Sequence, residues 1–146
     1  MRRYANRNII LKKYNLDGCS IIDYGCGDKD ILNFIKPFRY VGVDKNPNAD
    51  IVIDFDKEKV KIQDQFDVAI MLGLLEWLER PFDFLNQIKT TADRFIILSF
   101  IRENKKKNWK QHFTENGLEK SLGKIFQHVD LETHGKWTIF DCKGLL

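Results

Sequence analysis

The sequence predicts an α/β fold: a doubly wound, mostly parallel sheet in three layers, ending in an antiparallel hairpin, with residues 1–146 forming one domain. Three observations predict it. Short apolar runs alternate with helix-compatible segments through the first hundred residues, which is the pattern of a doubly wound layer. The run Arg94 to Phe100 (RFIILSF) is apolar on both faces, as expected in the middle of a parallel sheet covered on each side. Near the C-terminus, Ile125 to Thr133 and Lys136 to Cys142 read as strands joined by His134-Gly135, a turn pair that predicts a hairpin.

Taken in order, Tyr4 to Leu16 has helical spacing of Ile9, Ile10, Leu11 and Tyr14 and stops before Asp17-Gly18, forming either an ordinary packing helix or a cap over a ligand site. Ile21 to Asp23 is a strand, Gly25 and Gly27 form a tight turn, and a short helix from Asp30 runs to about Ile35, where Pro37 stops it. Tyr40 to Asp44 (YVGVD) is a buried strand. Asp50 to Asp56 (DIVIDFD) is a short one ending in Asp54 and Asp56, and residues 57–65 are polar, without a convincing helix. Phe66 to Leu72 forms the fourth strand, Phe82 to Thr91 a helix with Phe82, Leu85 and Ile88 on one face, and Arg94 to Phe100 the fifth strand. The charge run Arg102 to Lys110 (RENKKKNWK) reads as an exposed loop. Its place after the fifth strand also makes Lys105, Lys106, Lys107 and Trp109 candidates to meet an anionic or sugar-bearing acceptor. Thr114 is a good N-cap for a helix continuing through Gly117 to Leu122.

Composition bounds the function. With 146 residues, 43% hydrophobic and 31% charged, the chain has room for a single core. A net charge of +3 without a concentrated basic face does not point to nucleic acid. Three cysteines, Cys19, Cys26 and Cys142, lack CxxC pairing and indicate neither a disulfide framework nor a zinc site, which fits a reducing cytoplasm. No apolar run approaches a membrane span, so a soluble, cytoplasmic protein is expected.

The chemistry concentrates in IIDYGCGDKDIL, Ile21 to Leu32. Strand, glycine turn and helix make a nucleotide-binding bend, because glycine lets the chain reverse sharply and a ligand approach the backbone. A dinucleotide fingerprint would place its third glycine at position 30; here Asp30 stands there with Asp28 beside it, and two carboxylates repel a pyrophosphate. An adenosine carrying a sulfonium and an amino group instead of phosphates finds the same acidic bend favourable. Asp44 ends the next strand seventeen residues beyond Gly27, placed to accept hydrogen bonds from ribose hydroxyls.

On Asp23, Gly25, Cys26 and Gly27, followed by Asp44, the chain resembles the class I S-adenosylmethionine-dependent methyltransferases, whose Rossmann-like sheet closes with an antiparallel hairpin. It is most similar to compact bacterial members, including those linked to methionine biosynthesis and to modification of small molecules or surface glycans. Lys29 replaces a further glycine that the family often carries, and Trp77 stands where a histidine is common, while Phe66, Asp67, Leu75, Glu76 and Pro81 follow the family pattern. The resemblance implies S-adenosylmethionine as cofactor, bound by Asp23, Gly25, Cys26, Gly27, Asp44, Lys45, Asp54 and Leu72, with Asp54 and Asp56 both open for the adenine.

Methyl transfer from a sulfonium is an in-line displacement on an activated carbon, so alignment and dryness carry much of the catalysis. If the acceptor is a hydroxyl, Glu76 and His112 are the candidate bases; Glu76 alternatively faces water or pairs with Arg80, and His112 alternatively packs beside the strand edge. Cys26 reads as a packing residue. The expected acceptor is a small molecule or glycan, with a protein partner or a second copy of the chain left open. The competing reading is a catalytically silent methyltransferase-like partner subunit, supported by Lys29, Trp77 and the little chain left for an acceptor pocket. A nicotinamide oxidoreductase ranks last because of Asp30.

Overall fold

A computed structural model describes residues 5–146. Seven strands form one sheet: β1 (Ser20–Tyr24), β2 (Arg39–Asp44), β3 (Ile51–Val52), β4 (Phe66–Leu72), β5 (Ala92–Ser99), β6 (Phe126–His134) and β7 (Trp137–Leu145). Their order is β3-β2-β1-β4-β5-β7-β6. The first five run parallel, β7 pairs antiparallel with β5, and β6 pairs antiparallel with β7. The doubly wound sheet and its closing hairpin are therefore as the sequence predicts.

Alternation of side chains along each strand divides the apolar residues between two cores. Ile22, Tyr24, Ala69, Met71, Phe95 and Ile97 face one side, under α2 (Pro81–Ile88) and α3 (Glu115–Leu122). Ile21, Val68, Ile70, Ile96 and Leu98 face the other, against Leu11, Leu16, Ile31 and Ile35. The layer on that second side is thin. α1 spans only Ala5–Ile10 and passes into a 3₁₀ turn, Leu11–Tyr14, that ends where Asn15 turns left-handed. The predicted single helix is thus two pieces, and Tyr4 lies outside the described residues.

Three other elements differ from the sequence prediction. The helix after the glycine turn is a single 3₁₀ turn, Asp30–Asn33. Only a few residues separate the left-handed Lys29 from Pro37, and Asn33 Nδ2 donates back to the Asp30 carbonyl, which favours one tight turn over an α-helix. The third strand pairs over Ile51–Val52 alone, because Asp54 Oδ1 accepts the Asp56 amide and folds the chain into a turn. In α2, which starts at Pro81, the buried stripe is Pro81, Phe84, Leu85 and Ile88, while Phe82 lies edge-on to Phe113. The Thr114 cap forms as expected, its Oγ1 accepting the Gly117 amide at 3.0 Å. Among the described residues no helix is long and apolar enough to cross a membrane.

Candidate functional site

The strand order places β1 and β4 side by side in the sheet, with the chain winding outward to β2 and β3 on one side and to β5 on the other. In an open parallel sheet this switch point leaves a crevice outside the strand carboxyl ends. The glycine turn borders it. Gly25 has φ +79° and Gly27 φ +52°, left-handed values that side chains disfavour. The turn is tied to β2: Val43 O accepts from Gly25 N at 2.7 Å, and Asp44 Oδ2 accepts from Gly27 N at 2.9 Å. Asp44 Oδ1 accepts from Asn46 N, so one carboxylate braces two backbone segments at the crevice edge. A Cβ on Gly27 would meet no atom of the described residues within 4 Å. The bend is therefore open there, and Lys29 does not fill it; its amino group is held at 2.9 Å by Asp50. Cys26 is buried with Sγ against Gly42, and burial first of all pushes its thiol up to about 12, so it packs as a protonated side chain.

Asp23 sits beneath this turn, 2% exposed. Tyr40 donates its hydroxyl to Asp23 Oδ2 at 2.6 Å. Burial pushes the Asp23 carboxyl up to about 7, opposed by the Tyr40 hydrogen bond and by the charges of Arg7 and Lys29, with Asp44 acting in the same sense as burial. Arg7, from α1, is itself buried and donates through Nη1 to the carbonyl of Leu72, the last residue of β4. The first helix thus brings a cation to the carboxyl end of β4 and close enough to act on Asp23. Neither Arg7 nor Tyr40 was singled out from the sequence, since each sits in a stretch that reads as ordinary packing.

The structure brings Asp23, Gly25, Cys26, Gly27 and Asp44 together at neighbouring strand ends, with Leu72 joined to them through Arg7. Lys45 follows Asp44 and is exposed. Of the two carboxylates after β3, Asp56 is committed elsewhere: Oδ1 accepts from Glu79 N and Oδ2 pairs with Lys110 at 2.8 Å. Asp54 uses Oδ1 within its own turn.

Glu76 and His112 belong to the other half of the site, beyond β4 and β5. Glu76 neither faces water nor pairs with Arg80. It is 1% exposed, and its Oε2 accepts from Ser99 Oγ and from Phe100 N, both at 2.7 Å. Its backbone carbonyl accepts from Lys110 N and Gln111 N, so one residue fastens both ends of the strap 100–111. Glu76 Oε1 is buried without a partner among the described residues, and burial pushes the carboxyl above its usual range. Within the strap Trp109 is buried and stacks on Phe100 at 5.5 Å, which removes it from the exposed acceptor candidates, whereas Lys105, Lys106 and Lys107 are exposed. His112 is exposed, with Nε2 3.3 Å from the Ile101 carbonyl. Trp77, 45% exposed, points outward beside the buried Glu76.

The residues present suit a cationic nucleoside better than a diphosphate. Asp44 borders the crevice with Asp23 buried beneath the turn, and no glycine follows at position 30 to let a pyrophosphate approach.

Comparison with known proteins agrees. A family model described as a methyltransferase domain matches residues 1–134. A search of curated proteins finds no match to the sequence. Among solved structures, the chain is similar to one of a complex between the Haloferax volcanii Trm112 methyltransferase activator and a methyltransferase (TM-score 0.73, 12% identity, 98% of this chain and 92% of that chain). It is similar also to a Burkholderia thailandensis 1,6-didemethyltoxoflavin-N1-methyltransferase with bound 1,6-didemethyltoxoflavin and S-adenosylhomocysteine (TM-score 0.67, 16% identity, 97% and 77%). A third, a SAM dependent methyltransferase from Aquifex aeolicus, has TM-score 0.63, 17% identity and coverage of 94% and 88%. With the family model covering most of its length and a parallel sheet closed by an antiparallel hairpin, the chain belongs to the methyltransferase domain family and has the class I, S-adenosylmethionine-dependent fold.

Proposed function

We propose that the crevice between the carboxyl ends of β1 and β4 binds S-adenosylmethionine and that the chain transfers its methyl group to a small-molecule or glycan acceptor. The observation that carries the reading is the braced bend, Gly27 N on Asp44 Oδ2 with Asp23 buried beneath it, which sets two carboxylates and an open glycine turn at the switch point. The bound cofactor supplies an activated methyl carbon on a sulfonium. The protein's own residues then have to bind, orient and exclude water. Gly25, Cys26 and Gly27 offer backbone to the ligand, Asp44 accepts from ribose hydroxyls, and Asp54 is assigned to the adenine side because Asp56 is spent on Lys110 and Glu79. Lys45 and Leu72 complete the rim, with Arg7 behind Leu72 facing the anionic end of the ligand.

For an acceptor hydroxyl, His112 takes the base role. Glu76 lacks the exposure a base needs and serves to hold the strap over the acceptor side. Support for a small-molecule acceptor comes from the Burkholderia thailandensis enzyme, whose structure holds 1,6-didemethyltoxoflavin. The similarity to a methyltransferase seen with the Trm112 activator favours a second reading, in which this chain works only with a protein partner or as its silent subunit. Calorimetric titration with S-adenosylmethionine tests the first step: a micromolar-class midpoint is expected, and either no heat or tighter binding of a reduced nicotinamide cofactor overturns the assignment. Binding without turnover on any small acceptor moves the second reading in front.

A further inference from the structure

The geometry points to Tyr40 as a positioning residue for the cofactor: its hydroxyl, donated to Asp23 Oδ2 at 2.6 Å, fixes that carboxyl group beneath the glycine turn, making cofactor affinity depend on a phenol outside the glycine motif. This rests on the reading of the crevice as the cofactor site. Tyr40 and Asp23 lie on neighbouring parallel strands, where Tyr40 registers with Ile21 and Gly42 with Asp23. The side chains of Ile21, Asp23 and Tyr40 therefore point to one face of the sheet, the face on which Gly42 leaves a gap. Gly42 has no side chain between them, and the Cys26 sulfur occupies the adjoining space, where a Cβ on Gly42 would come within 2.8 Å of it. The phenol consequently reaches across to Asp23 Oδ2 at 2.6 Å, the length of a strong O–H···O⁻ bond.

The groups that act on Asp23 come from every element packed around it: Arg7 from α1, Lys29 from the glycine turn, Tyr40 and Asp44 from β2, with the Cys26 thiol beside them. Burial is the largest influence and favours the neutral acid, with Asp44 adding to it; Tyr40 is the leading influence in the opposite sense, followed by Arg7 and Lys29. Burial and the Asp23 charge also hold the Tyr40 phenol well above the usual tyrosine range, so it stays a donor at every pH at which the protein is handled. A cationic ligand is drawn to Asp23 only while that group is ionised. The Tyr40 hydrogen bond acts against burial and so favours the ionised form.

The test is calorimetric titration with S-adenosylhomocysteine and S-adenosylmethionine from pH 5.5 to 8.5 on wild type, Tyr40→Phe and Asp23→Asn. For wild type, affinity is expected to fall as pH drops below about 7, where Asp23 takes up its proton. Tyr40→Phe keeps the ring and removes only the hydroxyl. Its loss of affinity is expected to begin at higher pH, leaving binding roughly tenfold weaker than wild type at pH 7 and within about twofold of it at pH 8.5. Asp23→Asn should bind weakly with no pH dependence over this range. A merely structural role for Tyr40 would weaken binding equally at all pH values, and that outcome overturns the inference. So does an unchanged profile in Tyr40→Phe, while leaving the cofactor reading intact; absence of binding by wild type instead defeats the cofactor reading itself. If Tyr40→Phe binds nothing at any pH, ligand-free thermal melts decide: the pH window over which stability varies should extend upward relative to wild type, and an unmoved window overturns the inference.

Discussion

Two buried carboxylates stand at the carboxyl ends of neighbouring parallel strands, and their surroundings differ in kind. Asp23, at the cofactor half, has a phenol on one oxygen and the charges of Arg7 and Lys29 acting on it. Glu76, at the proposed acceptor half, is met through Oε2 by a hydroxyl and a backbone amide, both neutral, with His112 a lesser influence on it, and its Oε1 is buried without a partner among the described residues. A carboxylate among charged groups is set to respond to a charged ligand, whereas one held by neutral donors at a strand end and in the strap that follows fastens that strap. On the proposed reading, the same residue chemistry thus serves recognition on one side of the switch point and assembly on the other.

Substitution at Glu76 should have the largest effect and should break the fastener without touching recognition. Glu76→Ala leaves Ser99 Oγ and Phe100 N unpaired and opens a void at a buried position, costing about 3 kcal/mol, or a fall of roughly 8–12 °C in thermal melts. Glu76→Gln keeps an acceptor oxygen and should stay within about 1 kcal/mol of wild type. If instead Glu76→Ala lowers affinity for S-adenosylhomocysteine more than twofold, the two halves are not separable in this way.

Next in size, Asp44→Ala should weaken cofactor binding by about 1–3 kcal/mol in calorimetry, since it removes both the ribose acceptor and the brace on Gly27. An unchanged affinity would place the ligand elsewhere. The contrast is sharpened by pH. The folded-state pKa of Asp23, about 7, lies above the ordinary 3.8, so between those values the folded chain holds a proton that the unfolded chain has lost. Stability should therefore fall as pH rises from about 4 to about 7, and Asp23→Asn should flatten that slope and melt higher than wild type at pH 8. A pH slope that Asp23→Asn leaves unchanged over this interval would contradict the burial of Asp23. The smallest effect is expected for the strap's exposed lysines: replacing Lys105, Lys106 and Lys107 together by alanine should shift stability by no more than about 0.5 kcal/mol and leave cofactor affinity unchanged. A larger loss would mean that the strap's tip is part of the packed structure.

Much of the fold and half of the site are legible along the chain. Alternating apolar runs mark the strands because period-two patterning and double-sided burial are local properties. The glycine turn, Asp44 and the Thr114 cap are legible because a left-handed turn, a strand end and a helix start each restrict residue type within a few positions. The shortened third strand and the 3₁₀ turn after Lys29 are less so, since competition between side-chain and backbone acceptors decides them.

What the sequence alone determined is the parallel sheet with its terminal hairpin, the acidic glycine bend, and a preference for a cationic nucleoside over a diphosphate. Only the tertiary structure decided that Tyr40 serves Asp23 across 17 positions, that Glu76 is sealed by Ser99 and Phe100 over 23 and 24, and that Arg7 reaches Leu72 over 65. The physical reason is that a side chain's charge state and accessibility depend on which groups surround it. In a doubly wound sheet those neighbours come from adjacent strands and the layers covering them, where no local pattern along the chain records who they are.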